Sequence, residues 1–305
     1  MTMFKALSKK VLFASLIMSV SSLAIAKTIE HTLGTIEINE QPQRVVVLSH
    51  GALDFLDEIG IEPVGVVKQL LPNNLEQYGD KKYHALGSLK EPNFEEIFMA
   101  KPDLIIAEGR QAELYKDLSA IAPVYMYQID NSDYWKTTQH HWRVLGDVFG
   151  QSEQVEGMIS NIQQQFNDIE AKTTAQSMNA MSVMNSGNRL SMFGSNSRFS
   201  VIYDELGFET RESKNVESVA RSHGNLISFE YVADAQPDVI FVLDRQQAIG
   251  ASNASSEQFF DNPLVNSTPA AKNNKIVFLD SAAWYLTAGG YKSTQTMINN
   301  VKDVL

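Results

Sequence analysis

Short apolar runs alternate with segments of helical periodicity along the first half of the chain. The runs are four or five residues long, which is typical of buried strands. They fall at residues 44–48, 63–67, 104–107 and 123–127, with helical patterns between them at residues 52–59 and 94–100. Strands that alternate with helices in this way predict an α/β lobe with a mostly parallel sheet.

Two longer helices are predicted in the middle of the chain, at residues 134–149 and 152–172. The second carries apolar residues at helical spacing, namely Val155, Met158, Ile159, Ile162, Phe166 and Ile169. The alternating pattern then resumes. It predicts strands at residues 181–184, 190–193, 239–243 and 276–279, and helices at residues 199–206 and 291–305.

This order predicts an α/β protein with two α/β lobes joined by one long rigid helix and a ligand cleft between the lobes. We expect an N-terminal lobe at residues 27–150, a connecting helix at residues 151–173 and a C-terminal lobe at residues 174–305. No Pro/Gly/Ser-rich linker separates the lobes in the sequence. Since such linkers are flexible, their absence favours a stiff connection.

The first 26 residues have the pattern of a secretory signal peptide. Lys5, Lys9 and Lys10 precede an apolar run at residues 11–20, and small residues follow up to Ala26. The run is too short to span a bilayer, and this order of charged, apolar and small residues is typical of a cleaved leader. We expect cleavage after Ala26. Because the chain has no cysteine, we expect no lipid anchor and a soluble protein in the periplasm.

The composition adds an acidic surface to this picture. The chain has 25 basic and 36 acidic residues, a net charge of −11, and loss of the leader's lysines makes it more acidic. Such a surface argues against nucleic acid or an anionic membrane as a partner. We expect a monomer. A cluster of arginines would oppose the overall field and would therefore point to a site for an anion.

A twelve-residue segment occurs twice, at residues 94–105 and 229–240, with six identical positions. Each copy predicts a short helix, a Pro-Asp turn and a buried strand. Continuing the same alignment brings Arg110 onto Arg245, and both arginines lie just beyond a strand. Because ligands of open α/β sheets gather at the carboxyl ends of strands, we expect these arginines to face each other across the cleft.

The sequence resembles the periplasmic binding proteins of iron-siderophore and cobalamin ABC importers, and within them the binders of ferric catecholate siderophores. The resemblance covers the mature chain and is carried by five blocks: residues 108–111 (EGRQ), 196–199 (NSRF), 222–225 (SHGN), 244–245 (DR) and 284–286 (WYL). It implies a class III periplasmic binding protein fold and no enzymatic activity.

The resemblance also implies roles for single residues. Arg110, Arg198 and Arg245 match the three arginines of the cleft, and His223 and Tyr285 match residues that can bind iron directly. The glutamates at the second position of each repeat, Glu95 and Glu230, match residues that contact the inner-membrane ABC permease.

The chemistry of these residues suits a ferric catecholate. Arginine is permanently charged and presents a planar set of donors to oxygen anions. Fe(III) favours phenolate oxygen and accepts imidazole, so Tyr285 as phenolate and neutral His223 would fill two of about six coordination positions. A siderophore with four donors would then be completed by the protein. We expect Fe(III)-siderophore as the transported ligand, with no permanently bound cofactor. His50, after the first buried strand, is a weaker candidate for the cleft.

Three alternatives remain open on the residues alone. Haem or cobalamin binders share the fold, and a haem site can also use tyrosine or histidine. A bare divalent metal would require several converging histidines or carboxylates, and the sequence shows no such cluster. An exported α/β hydrolase would require a G-x-S-x-G nucleophile elbow, which is absent. The three arginines favour a polyanionic chelate.

Overall fold

The structure is a computed structural model that describes residues 27–187, 189–219, 224–251 and 256–305. The predicted signal peptide and His223 lie outside the described residues. The strands are β1 (Lys27–His31), β2 (Gly34–Ile38), β3 (Val45–Val47), β4 (Gly65–Val66), β5 (His84–Ala85), β6 (Leu104–Ala107), β7 (Val124–Met126), β8 (Asn179–Ser186), β9 (Arg189–Phe193), β10 (Glu209–Thr210), β11 (Asn225–Ile227), β12 (Val239–Asp244) and β13 (Ile276–Phe278).

The helices follow the apolar periodicity closely, and several short ones fill the loops of the second lobe. They are α1 (His50–Glu58), α2 (Phe94–Met99), α3 (Tyr115–Ser119), α4 (Tyr134–Val148), α5 (Ser152–Ala175), α6 (Ser200–Asp204), α7 (Phe229–Ala235), α8 (Arg245–Ala248), α9 (Glu257–Phe260), α10 (Pro263–Asn266), α11 (Pro269–Lys272), α12 (Ser281–Tyr285) and α13 (Tyr291–Lys302). Two 3₁₀ helices span Asn73–Gly79 and Gly109–Leu114.

The first lobe is built on a parallel sheet with the strand order β5-β4-β3-β6-β7. Its central strands, β3 and β6, are buried along their whole length. A strand can be apolar at every position only when both faces of the sheet are covered. The uniformly apolar runs predicted as buried strands therefore reflect a sheet that has helices on both sides.

The second lobe has the strand order β11-β9-β8-β12-β13, and β10 also pairs with β8. Strand β8 pairs in parallel with β10 and β12, and β12 pairs in parallel with β13. Strand β9 pairs antiparallel with both β8 and β11. Gly187, with a φ of 66°, lies in the turn between β8 and β9. At this positive φ a side chain would be strained. The prediction of an α/β fold with two lobes is thus confirmed, with an antiparallel hairpin added to the second sheet.

Helix α5 connects the two lobes. It has 24 residues, which corresponds to a length of about 36 Å. It buries the apolar stripe predicted from the sequence and one further residue, Thr173. The last helix, α13, returns to pack against α1 of the first lobe and against α5. The chain therefore crosses between the lobes again after α12, and the lobe limits stay predictions.

The two copies of the repeat adopt the same local structure. The residue before each helix caps it, since Asn93 accepts a hydrogen bond from Glu96 N at 3.1 Å and Ser228 accepts one from Tyr231 N at 3.4 Å. The backbone of the residue before each proline adopts the left-handed conformation, with a φ of 48° at Lys101 and 50° at Gln236.

The aspartate of each Pro-Asp pair binds the backbone next to the first strand, in chain order, of the main sheet of its lobe. Asp103 accepts hydrogen bonds from Gln43 N at 2.7 Å and Arg44 N at 2.9 Å, directly before β3. Asp238 accepts one from Asn179 N at 3.2 Å, at the start of β8. The repeated Asp therefore sets the register of two neighbouring strands in each sheet, which explains why both copies carry it.

Candidate ligand-binding cleft

Tyr285 lies between the two lobes, at the end of α12. Asp280 caps this helix by accepting a hydrogen bond from Ala283 N at 2.8 Å. The Tyr285 ring packs against buried residues of both lobes, and the next residue, Leu286, belongs to the core of the first lobe. A residue that the sequence assigns to the second lobe is therefore positioned jointly by both.

Hydrogen bonds hold the segment after Tyr285 against the first lobe. The carbonyl of Gly289 accepts hydrogen bonds from Tyr127 OH at 2.6 Å and Trp142 Nε1 at 2.7 Å. The Gly289 N–H donates to Tyr134 OH at 3.2 Å. Because the donors and acceptor are buried aromatic side chains, water does not compete for these bonds, and the segment has a defined position.

The three predicted arginines converge on Tyr285. Arg245 Nε donates a hydrogen bond to Tyr285 OH at 3.1 Å. The Arg198 guanidinium lies over the Tyr285 ring, 4.4 Å from its centroid. Arg110 Nη2 donates to the Tyr285 carbonyl oxygen at 3.4 Å. The structure thus brings together four of the five residues predicted for the ligand and the iron, and it does not describe the fifth, His223.

These arginines come from both lobes. Arg110 is in the 3₁₀ helix that follows β6, and Arg245 is the first residue of α8, directly after β12. Arg198 lies between β9 and α6. The positions that the repeat relates, Arg110 and Arg245, therefore meet at the carboxyl ends of equivalent strands, as the alignment of the two copies predicts.

The cluster concentrates positive charge in a partly buried space. Burial lowers the pKa of the Arg198 guanidinium, and the charges of Arg110 and Arg245 lower it further, while Tyr285 opposes this effect. Guanidiniums that repel one another in a poorly hydrated place bind an anion favourably, because the anion relieves the repulsion and accepts charge-assisted hydrogen bonds. The arrangement is suited to an anionic ligand that presents several oxygens.

The structure also adds Glu108 to the cleft, a residue for which the sequence predicts no role. Its carboxylate accepts a hydrogen bond from Arg110 Nη1, and its side chain is only 14% exposed. Its backbone N–H donates to Gln111 Oε1 at 2.9 Å, within a capping box of the 3₁₀ helix. Burial raises the pKa of the Glu108 carboxyl, whereas Arg110 and Ser49 oppose that rise. A carboxylate two residues before a candidate arginine is the signal that could have identified it.

The weaker candidate, His50, is a buried residue at the start of α1. Its Nε2 lies 3.1 Å from the carbonyl oxygen of Val67. Burial lowers the pKa of His50 to about 4, and the charge of Arg110 contributes to this. The imidazole is therefore neutral at physiological pH and contacts the protein backbone. Within the described ranges, no three His, Cys, Asp or Glu side chains converge to hold a metal ion.

The two glutamates of the repeat occupy exposed positions in the first turns of α2 and α7. The Ser228 side chain lowers the pKa of Glu230 by hydrogen bonding. Both side chains are accessible, as a contact with a partner requires, and their docking role stays a prediction. No helix in the described part of the chain combines the length and the apolar character needed to cross a membrane.

Two α/β lobes on a long helix, with a cationic cleft between them, define a two-lobed solute-binding protein. Residues 45–283 match the model of a family described as periplasmic binding protein. The chain belongs to this family, which confirms the resemblance. Since its members are binding proteins, the expectation that the chain is not an enzyme is confirmed as well.

Two curated relatives align over most of their length. Petrobactin-binding protein YclQ of Bacillus subtilis is 36% identical over 283 residues, covering 91% of this chain and 88% of that protein. Ferric-anguibactin-binding protein FatB of Vibrio anguillarum is 31% identical over 278 residues, covering 90% of this chain and 85% of that protein.

Two solved structures also match most of the chain. The periplasmic catecholate-siderophore binding protein VctP of Vibrio cholerae is 41% identical, with a TM-score of 0.85, and the match covers 92% of this chain and all of that one. A crystal structure of YclQ matches with the same TM-score at 35% identity, over 92% of this chain and 98% of the other.

Proposed function

We propose that this protein is the substrate-binding component of an ABC importer and that it captures a ferric catecholate siderophore in the periplasm. The observation that carries the proposal is the convergence of Arg110, Arg198 and Arg245 on Tyr285. A ferric tris-catecholate has three negative charges and a bis-catecholate has one. Both present oxygens that guanidinium groups can bind in pairs. The names of the relatives, which include petrobactin and catecholate siderophores, support the same class of ligand.

Tyr285 has a second part in this proposal. Its hydroxyl accepts a hydrogen bond from Arg245 Nε, and phenolate oxygen is a preferred ligand of Fe(III). With His223 it would complete the coordination of a tetradentate siderophore. A hexadentate siderophore leaves no coordination position open, so the arginines alone would hold that complex.

Fluorescence quenching of purified residues 27–305 by synthetic ferric complexes tests the ligand. We expect Arg198→Gln to weaken a ferric tris-catecholate by roughly tenfold to a hundredfold, because a charge-assisted hydrogen bond contributes about 1.5–3 kcal/mol. The matched control is Arg189→Gln, which removes an exposed arginine of β9. An equal loss in both variants would contradict the proposed cleft. Binding of haem or cobalamin alone would assign a different ligand.

A pair of complexes tests direct iron ligation. Tyr285→Phe combined with His223→Ala should weaken a tetradentate bis-catecholate at least tenfold, about 1.4 kcal/mol, and should change a hexadentate tris-catecholate much less. Tyr115→Phe with His140→Ala is the matched control, since His140 is exposed and Tyr115 lies in α3 of the first lobe. Equal losses for the two complexes would exclude iron ligation by this pair.

Delivery to the permease is the remaining part of the proposal. Glu95 and Glu230 offer one exposed carboxylate on each lobe for basic groups of the permease. We expect Glu95→Gln with Glu230→Gln to keep full siderophore affinity but to slow uptake in vesicles that contain the cognate transporter. Glu37→Gln with Glu153→Gln removes the same charge from exposed sites elsewhere. Unchanged uptake by the first pair would refute the docking role.

A further inference from the structure

We infer that Glu108 is a specificity-determining residue that sets which ligand charge the cleft prefers. This inference rests on the proposed function, because it concerns the same cleft. The cleft contains three guanidiniums, and the Glu108 carboxylate binds one of them, Arg110. One carboxylate therefore reduces the cleft's charge from that of three cations to that of two.

The geometry makes Arg110 different from the other two arginines. Its Nη1 donates to the Glu108 carboxylate, and its Nη2 faces the carbonyl oxygen of Tyr285. The repeat places Leu243 where the first lobe has Glu108. The neighbouring Asp244 caps α8, accepting hydrogen bonds from Gln246 N at 2.8 Å and Gln247 N at 3.1 Å. The first lobe thus carries a charge-balancing carboxylate for which the second lobe has an apolar residue.

The Glu108 and Arg110 side chains are mostly buried, so the charge of Glu108 acts strongly on a ligand in the cleft. The side chain of Glu108 is 14% exposed and that of Arg110 is 29% exposed, so water and salt screen their charges weakly. An anion in the cleft is attracted by all three arginines and repelled by Glu108. The repulsion grows with each negative charge on the ligand. Glu108 therefore penalises a trianionic tris-catecholate more than a monoanionic bis-catecholate.

Replacing Glu108 by glutamine tests the inference. The amide oxygen of Gln can still accept from Arg110, so the exchange removes the charge while keeping the shape. We expect the affinity ratio of a ferric tris-catecholate to a ferric bis-catecholate to rise on the order of tenfold or more in Glu108→Gln. Each ratio is compared with that of the wild type, so the difference in denticity between the two complexes cancels.

Two further variants make the result decisive. Glu113→Gln removes an exposed carboxylate from the same 3₁₀ helix, and it should leave the ratio unchanged. Glu108→Asp keeps the charge and should also retain the wild-type ratio. If Glu108→Gln weakens both complexes equally, Glu108 only positions Arg110 and the inference is overturned. If the wild type binds neither complex, the proposed function itself fails.

Discussion

The joint between α12 and α13 gives a sharp test of how Tyr285 is positioned. Asp54, in α1 of the first lobe, caps α13 by accepting hydrogen bonds from Ser293 N at 2.8 Å and Lys292 N at 3.2 Å. Gly290 has a φ of −72°, which alanine adopts readily. A Cβ at this position would nevertheless overlap with the Asp54 carboxylate. Gly290→Ala should therefore act through sterics alone and displace Asp54 from α13.

The expected cost follows from the bonds that are lost. Asp54 is fully buried, and each hydrogen bond between a charged group and a backbone N–H contributes about 1.5–3 kcal/mol. Losing both bonds, with partial relaxation around the new methyl group, should lower the free energy of unfolding by roughly 3–5 kcal/mol. Because Tyr285 lies only five residues before Gly290, siderophore affinity should fall as well.

Urea unfolding of four proteins measures the effect: wild type, Gly290→Ala, Asp54→Gly and the double variant. The Cβ of Asp54 would also lie only 2.6 Å from the new Cβ, so glycine at position 54 is needed to remove the whole overlap. In the Asp54→Gly background, Gly290→Ala should therefore cost less than about 1 kcal/mol. Gly157→Ala is the control, since its Cβ would enter open space on α5; replacing a helical glycine should stabilise by about 0.5–1 kcal/mol. If Gly290→Ala costs the same in both backgrounds, contact with Asp54 is not the cause.

Two further predictions concern buried or paired aspartates. Burial raises the pKa of Asp54 from 3.8 to about 6, so the folded protein binds this proton more tightly than the unfolded chain does. The resulting stabilisation, about 3 kcal/mol, is fully present below pH 4 and is lost as the pH rises through 6. The difference in unfolding free energy between wild type and Asp54→Asn should shrink accordingly from pH 4 to pH 7, and a constant difference would be inconsistent with the assigned shift. Asp103→Ala and Asp238→Ala should each destabilise by about 1.5–3 kcal/mol in urea unfolding; a cost in only one lobe would show that the two copies of the repeat are not equivalent.

The sequence predicts the strands and helices because local burial patterns determine them. Buried strands are apolar at every position and helices show apolar residues at regular spacing, so both patterns are visible without a structure. The repeat adds long-range information, because two copies of one unit imply equivalent places in two lobes. This is why the sequence by itself predicts that Arg110 and Arg245 lie on opposed walls of a cleft. Arg198 and Tyr285 have no such partner position, and only the resemblance pointed to them.

The tertiary structure decided how these pieces meet. The return of α13 to α1 depends on the cap from Asp54, a contact between residues far apart in the chain. The pairing of Glu108 with Arg110 depends on the turn that follows β6. Side-chain direction at a turn and contacts between distant segments leave no periodic trace in a sequence. The alternating pattern and the repeat thus determined two lobes and two cationic walls, whereas packing between the lobes determined that Tyr285 lies where three arginines converge.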